Sequence, residues 1–168
     1  MVASYRKFIA PNINPTYVES RLFAKVTENI DLTGQSDVMT QEPGRIRDTK
    51  TGVAPRPNHA QLGGYKLIAR SNGLPSPREL LEDFIPRVTL KKDQPPPVTT
   101  TYDPTIAEHA AHQVIDRMVQ SLGEFEARVQ SGAKPPEYAF MANPNSMLCS
   151  EKWCPAYGTS FCREWRGD

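Results

Sequence analysis

Asp37, Asp48 and Lys50 are residues whose types and spacing could do chemistry together. Gln41-Glu42-Pro43-Gly44 reads as a short Pro-Gly turn, so the runs Leu32–Thr40 and Arg45–Thr51 on either side form an antiparallel hairpin. With that turn Thr40 pairs with Arg45, and continuing the register places Asp37 opposite Asp48. Lys50, two residues further on, points to the same face, across from Gln35. Opposed carboxylates about 5 Å apart repel and weaken a sheet unless a cation offsets them. They suit a divalent ion such as Mg²⁺, which takes one or two carboxylates together with water and a phosphate oxygen. Lys50 beside them would orient or deprotonate a water, or stabilise a pentacovalent phosphate. A solvated strand face on which Lys50 neutralises two acids fits the same pattern.

The three cysteines, Cys149, Cys154 and Cys162, lie near the end of the chain. An odd count at one end is a poor disulfide framework and a better start for a metal or cluster site. Glu108, His109, His112 and Asp116 share a helix, but two histidines three apart with no third ligand are the ordinary polar flank of a helix. Arg45 and Arg47 point away from the acidic pair and, like Lys91-Lys92, make no strong nucleic-acid footprint.

The elements that must position these residues follow from periodicity. Residues 1–16 are rich in Pro and Asn and read as an irregular lead-in. Val18 to Glu28 alternates as a half-buried strand, followed by the hairpin strands. Asn58 reads as the cap of a helix over His59–Arg70, with Leu62, Tyr65 and Ala69 on one face and Gly73 beyond its end. Leu80–Leu90 reads as a strand with Pro86 at a bulge or edge, and Lys91–Thr101 as loop or extended chain. Asp103 caps a long helix from Pro104 or Thr105 to about Ser131. Its Ile106, Ala110, Val114, Met118, Leu122, Phe125 and Val129 recur at helical spacing as a core-facing stripe. The fold class is α/β: a mixed sheet with the hairpin at its centre and helices on its flanks. The domain reading is a lead-in over 1–16, a core over 17–134 and a cysteine-containing tail over 135–168.

The 168 residues suit one compact domain. The 16 prolines imply much loop. A formal net charge of +1 gives no bulk attraction to nucleic acid, so any such binding must come from a local site. No run approaches the roughly 18 apolar residues of a membrane span, and no apolar signal core follows the N-terminus. The expectation is a cytoplasmic protein without a membrane partner.

Leu32-Thr33-Gly34-Gln35-Ser36-Asp37-Val38, then Asp48-Thr49-Lys50-Thr51-Gly52, then Gln61-Leu62-Gly63-Gly64-Tyr65 resembles the RecB-type exonuclease branch of the PD-(D/E)XK nuclease superfamily. The family pattern is G-x-x-D on one strand, D-x-K-T on the next and Q-x-x-x-Y on the following helix. The resemblance implies a restriction-endonuclease-like fold, with Asp37 and Asp48 as ligands of Mg²⁺ or Mn²⁺ and Lys50 as the catalytic lysine. It also implies that Gln61 and Tyr65, one helical turn apart, face the active site; the bland reading makes Tyr65 core and Gln61 surface. Cys149-Ser150-Glu151-Lys152-Trp153-Cys154-Pro155 followed by Cys162 is similar to the C-terminal cysteines of AddB-like and CRISPR-adaptation nucleases of this branch. Those cysteines join one upstream to hold a [4Fe–4S] cluster. Here the spacing is looser and no cysteine precedes Cys149, so a cluster would need a fourth ligand outside this chain; Zn²⁺ with a histidine as fourth ligand, or three ordinary thiols in a tail, are the alternatives.

The family begins with a helix bearing a His or Glu as a third metal ligand, which the lead-in does not provide; Glu19 is the nearest candidate. A missing helix and a missing cysteine lead to the expectation that the chain is the C-terminal part of a longer nuclease, or a shortened relative. The implied function is metal-dependent hydrolysis of DNA phosphodiester bonds by an exonuclease of phage-type recombination or repair. Such an enzyme would work in the host cytoplasm if phage-encoded, with a recombination or annealing protein as a further partner. The alternatives are a non-catalytic DNA-binding or assembly module on a degenerate nuclease fold, and a small zinc-binding interaction protein.

Overall fold

The computed structural model describes residues 2–41, 44–89, 91–132, 150–154, 157–160 and 162. The chain divides into two compact units, Met1–Ile115 and Asp116–Asp168. In the first unit a five-stranded sheet runs in the order β1 (Tyr17–Val18), β4 (Val38–Thr40), β5 (Arg45–Gly52), β6 (Glu79–Pro86) and β7 (Val98–Tyr102), and β2 (Arg21–Lys25) and β3 (Asp31–Gln35) form a separate hairpin. The sheet is mixed, because β5 and β6 are parallel while the other neighbours are antiparallel. Helix α2 (His59–Ser71) makes the crossover between the parallel strands. Among the described residues no helix is long and apolar enough to cross a membrane.

From Val38 to Thr40 the hairpin register is the expected one, with Thr40 paired to Arg45 and Val38 to Arg47, but the ladder ends there and does not include the expected Asp37–Asp48 pair. The runs expected as two unbroken strands, 18–28 and 32–40, are instead broken, the first after Val18 and the second between Gln35 and Val38. They leave the main sheet together at Glu19–Ser20 and Ser36–Asp37 and continue as β2 and β3. The cause is local. The Asp37 carboxylate accepts the Thr49 N–H at 2.6 Å, taking a donor that the strand ladder would otherwise use. Gln35 therefore pairs with Arg21 and does not lie across from Lys50. Gly34 lets this second hairpin close on α2, since a Cβ there would lie 2.8 Å from Ile68 Cδ1 and 3.0 Å from Tyr65 Cδ1.

The lead-in expected to be irregular is helical: α1 (Val2–Ser4) runs into a π turn over Tyr5–Ile9 and a 3-10 turn over Ala10–Asn12. Burial of Ser4 and Ile9 anchors it, and it carries no Asp, Glu or His. β6 stops at Pro86, whose ring cannot donate to a ladder. The stretch expected as loop or extended supplies the edge strand β7.

One face of the sheet, with α2, builds the core from Met39, Ile46, Leu62, Tyr65, Ala69, Leu80, Tyr102 and Ala107. Gly73 ends α2 with φ +72, a left-handed turn that glycine adopts without strain. Helix α3 (Pro104–Gln130) is capped by Asp103, whose Oδ1 accepts the Thr105 and Ile106 N–H groups. Its buried face is not the expected stripe. Ile106, Val114 and Met118 are 60%, 46% and 68% exposed, whereas Ala107 and Ala111 are buried. Close approach decides this orientation. Gly63 of α2 has no side chain, and a Cβ there would sit 1.9 Å from the Ala107 carbonyl oxygen. Lys66 and Arg70 of α2 fix the same orientation by ion pairs to Glu108, each at 2.8 Å, and Lys66 also donates to the Pro104 carbonyl.

In the second unit the described tail residues form local turns, with Trp153 and Cys154 both donating to the Ser150 carbonyl. Lys152 stacks its ammonium 4.6 Å from the Trp153 ring centre.

Candidate metal and phosphodiester site

Strand alternation sends Ile46, Asp48 and Lys50 to the α2 side of β5. Ile46 is core, so the same face turns from apolar to ionic within two residues. Asp48 is buried and ion-pairs with Lys50 through Oδ2 at 2.6 Å. Asp37 lies just past the end of the β4–β5 ladder. Burial pushes its carboxyl above the usual aspartate range; the Thr49 N–H opposes this, and the charges of Asp48 and Glu19 add to it. For Lys50, burial alone would favour the neutral amine, but Asp48 outweighs burial and holds the ammonium above its ordinary value. Lys50 is therefore a cation in this arrangement, suited to steadying phosphate charge rather than removing a proton.

Gln61 and Tyr65 stand one turn apart on α2, and the Gln61 side-chain amide donates to the Tyr65 hydroxyl at 2.6 Å. Tyr65 is at once core and site: its ring packs in the cluster, while its phenol is pushed up first by burial and then by the charge of Asp48. Gln61 is exposed. Glu19 sits in the bend between β1 and β2 with φ 47, strained for a residue with a side chain, and its N–H donates to the Asp37 carbonyl at 3.0 Å.

Two members of this group escape the sequence reading. Glu82 is 1% exposed and stands beside Asp48 in the parallel β5–β6 register. Burial raises its carboxyl pKa most, the Asn58 side-chain bond opposes this, and Asp48 raises it further. Asn58, expected to cap α2, makes no side-chain cap bond and instead donates to Asp48 Oδ2 at 3.3 Å. The available signal was an acidic pair inside the apolar run Leu80-Leu81-Glu82-Asp83-Phe84-Ile85, since a buried strand keeps acids only where they have partners. Lys50, Asn58, Glu82 and Phe84 line a cleft of about 630 Å³. A second cleft, of about 400 Å³, opens between α2 and the β2–β3 hairpin and is lined by Arg21, Gln35, Gln61 and Tyr65 among others.

Asp37 and Asp48 offer hard oxygen donors, with like charges gathered around a single lysine, and this set fits a Mg²⁺ or Mn²⁺ ion held by two carboxylates. Among the described residues, no three His, Cys, Asp or Glu side chains form a group that could hold a metal. Arg45 and Arg47, on the opposite face, are not free for phosphate: Arg45 bonds Glu79 and Arg47 grips Asp83 through two bonds at 2.7 and 2.8 Å. His109 contacts Gln113 and His112 lies 3.9 Å from Glu108. Cys154 and Cys162 are free thiols. Cys149 lies outside the described residues.

No family model matches the chain, and no curated protein matches it. Among solved structures, a protein of Eubacterium rectale named as a candidate exonuclease superposes with a TM-score of 0.58 at 14% identity, over 88% of this chain and 61% of that one. The chain thus spans about three fifths of the length of that structure. A second structure, that of SSO0001, overlaps 62% of this chain and 50% of its own with a TM-score of 0.39 at 14% identity. The likeness to the first is one of fold: a mixed α/β sheet with flanking helices, similar to a nuclease fold.

Proposed function

We propose that the chain is a divalent-metal-dependent deoxyribonuclease, an exonuclease of the RecB type that hydrolyses phosphodiester bonds in phage-type recombination or repair. The observation that carries this reading is the ionic group at the end of the β4–β5 hairpin, where Asp37 takes the Thr49 N–H and Asp48 pairs with Lys50. The resemblance of the three motifs to that branch and the nuclease-like fold support it. Asp37 and Asp48 would hold Mg²⁺ or Mn²⁺, which supplies Lewis-acid stabilisation of charge on a phosphate oxygen. Lys50, charged and half-exposed, neutralises the phosphate from the β5 side. Gln61 and Tyr65 present an amide and a hydroxyl able to bond a phosphate or a water beside it.

The experiment is removal and return of metal. EDTA should abolish degradation of DNA and Mn²⁺ restore it, while Lys50→Ala lowers the rate by about a hundredfold or more with an unchanged circular dichroism spectrum. Degradation that proceeds unchanged in EDTA contradicts the proposal. A second reading, a DNA-binding or assembly module without turnover, is favoured by the absence of a three-membered ligand group among the described residues. DNA retention without cleavage is its mark.

A further inference from the structure

Asn58 occupies the first position before α2, where an asparagine ordinarily bonds a backbone N–H of the first turn. Its side chain gives up that role and turns toward the sheet. There it meets two carboxylates on adjacent parallel strands, Asp48 of β5 and Glu82 of β6, which are direct register partners. It donates to Asp48 Oδ2 at 3.3 Å and lines the same cleft as Glu82, whose carboxylate receives the Tyr102 hydroxyl at 3.5 Å. Side by side and buried, the two acids repel each other. A primary amide carries two hydrogens and no charge, so one residue can bridge both without cancelling the negative potential a cation needs. Lys50, by contrast, binds the same Asp48 oxygen and does cancel charge.

We propose that Asn58 is a positioning residue that holds Asp48 in its cation-binding orientation by cross-linking it to Glu82. This rests on the reading of Asp37 and Asp48 as metal ligands and names a second layer behind them. The test is Asn58→Ser. Serine caps helices as well as asparagine, so α2 keeps its start, but a hydroxyl has one hydrogen and can satisfy one acid only. Mn²⁺ binding, read without DNA from the electron paramagnetic resonance of the free ion, should weaken about tenfold, the usual effect of losing such a partner. Thermal melting should stay near that of the native protein. Asn58→Ser with Glu82→Gln removes the repulsion and should restore binding to within about threefold of native, since the amide replaces the charge that Asn58 held apart. Native affinity in Asn58→Ser, or a double variant no tighter than Asn58→Ser, overturns the proposal. A native protein that binds no Mn²⁺ overturns the metal reading itself.

Discussion

Asp83 has no exposed surface, and its charge is met by the Arg47 guanidinium and the Thr99 hydroxyl, the latter at 2.6 Å. Removing one partner of such a pair strands a charge where water cannot reach it. Arg47→Ala should lower stability by about 3 to 5 kcal/mol in urea titration, and adding Asp83→Leu should recover most of the loss. A single variant within about 1 kcal/mol of native, close to the range of surface substitutions, would mean that the pair is dispensable. The ion pairs of Glu108 answer to pH. The Lys66 bond, then the charges of Lys66 and Arg70, hold its carboxyl below its ordinary 4.5. A depressed carboxylate stabilises the fold above its unfolded pKa and loses that contribution as pH falls through the folded value. Glu108→Gln should therefore cost about 2 kcal/mol at neutral pH. Its difference from native should shrink as pH drops below 4.5. A difference that grows in acid contradicts the assignment. Asp37, Asp48 and Lys50 were legible as a group because the turn at 41–44 fixes an antiparallel register by counting. Glu82 was not, because a parallel neighbour's register is set by a crossover helix whose packing no count predicts.

At the scale of elements, the α2–α3 contact is set by absence of bulk. Gly63 and Gly64 are adjacent in α2, yet a Cβ at Gly63 would meet the Ala107 carbonyl oxygen at 1.9 Å and one at Gly64 would meet nothing within 4 Å. Gly63→Ala should destabilise by about 3 kcal/mol, since backbone cannot move aside as a side chain can. Gly64→Ala should stabilise by about 1 kcal/mol through helix propensity alone. Equal effects of the two in thermal melts would show that α3 does not pack there. The same contact explains why α3 misled the sequence reading. Its apolar period was real, but the buried face is chosen by how closely two backbones can approach, which favours Ala107 and Ala111 over the larger Ile106 and Val114. The bent hairpin misled for a related reason: alternation persists through a strand that changes sheets, and the bend at Asp37 comes from one side-chain bond.

At the scale of the molecule, every described residue of the proposed site belongs to the unit Met1–Ile115. A net charge of +1 leaves the local ionic group, and not a general field, to engage nucleic acid. The most direct measurement is a time course on linear and circular DNA with Mn²⁺, with the native protein beside Asp48→Ala. The expected result is loss of linear DNA, survival of the circle, and no loss of either with Asp48→Ala. Equal degradation by Asp48→Ala would contradict the assignment of chemistry to the Asp37, Asp48 and Lys50 face.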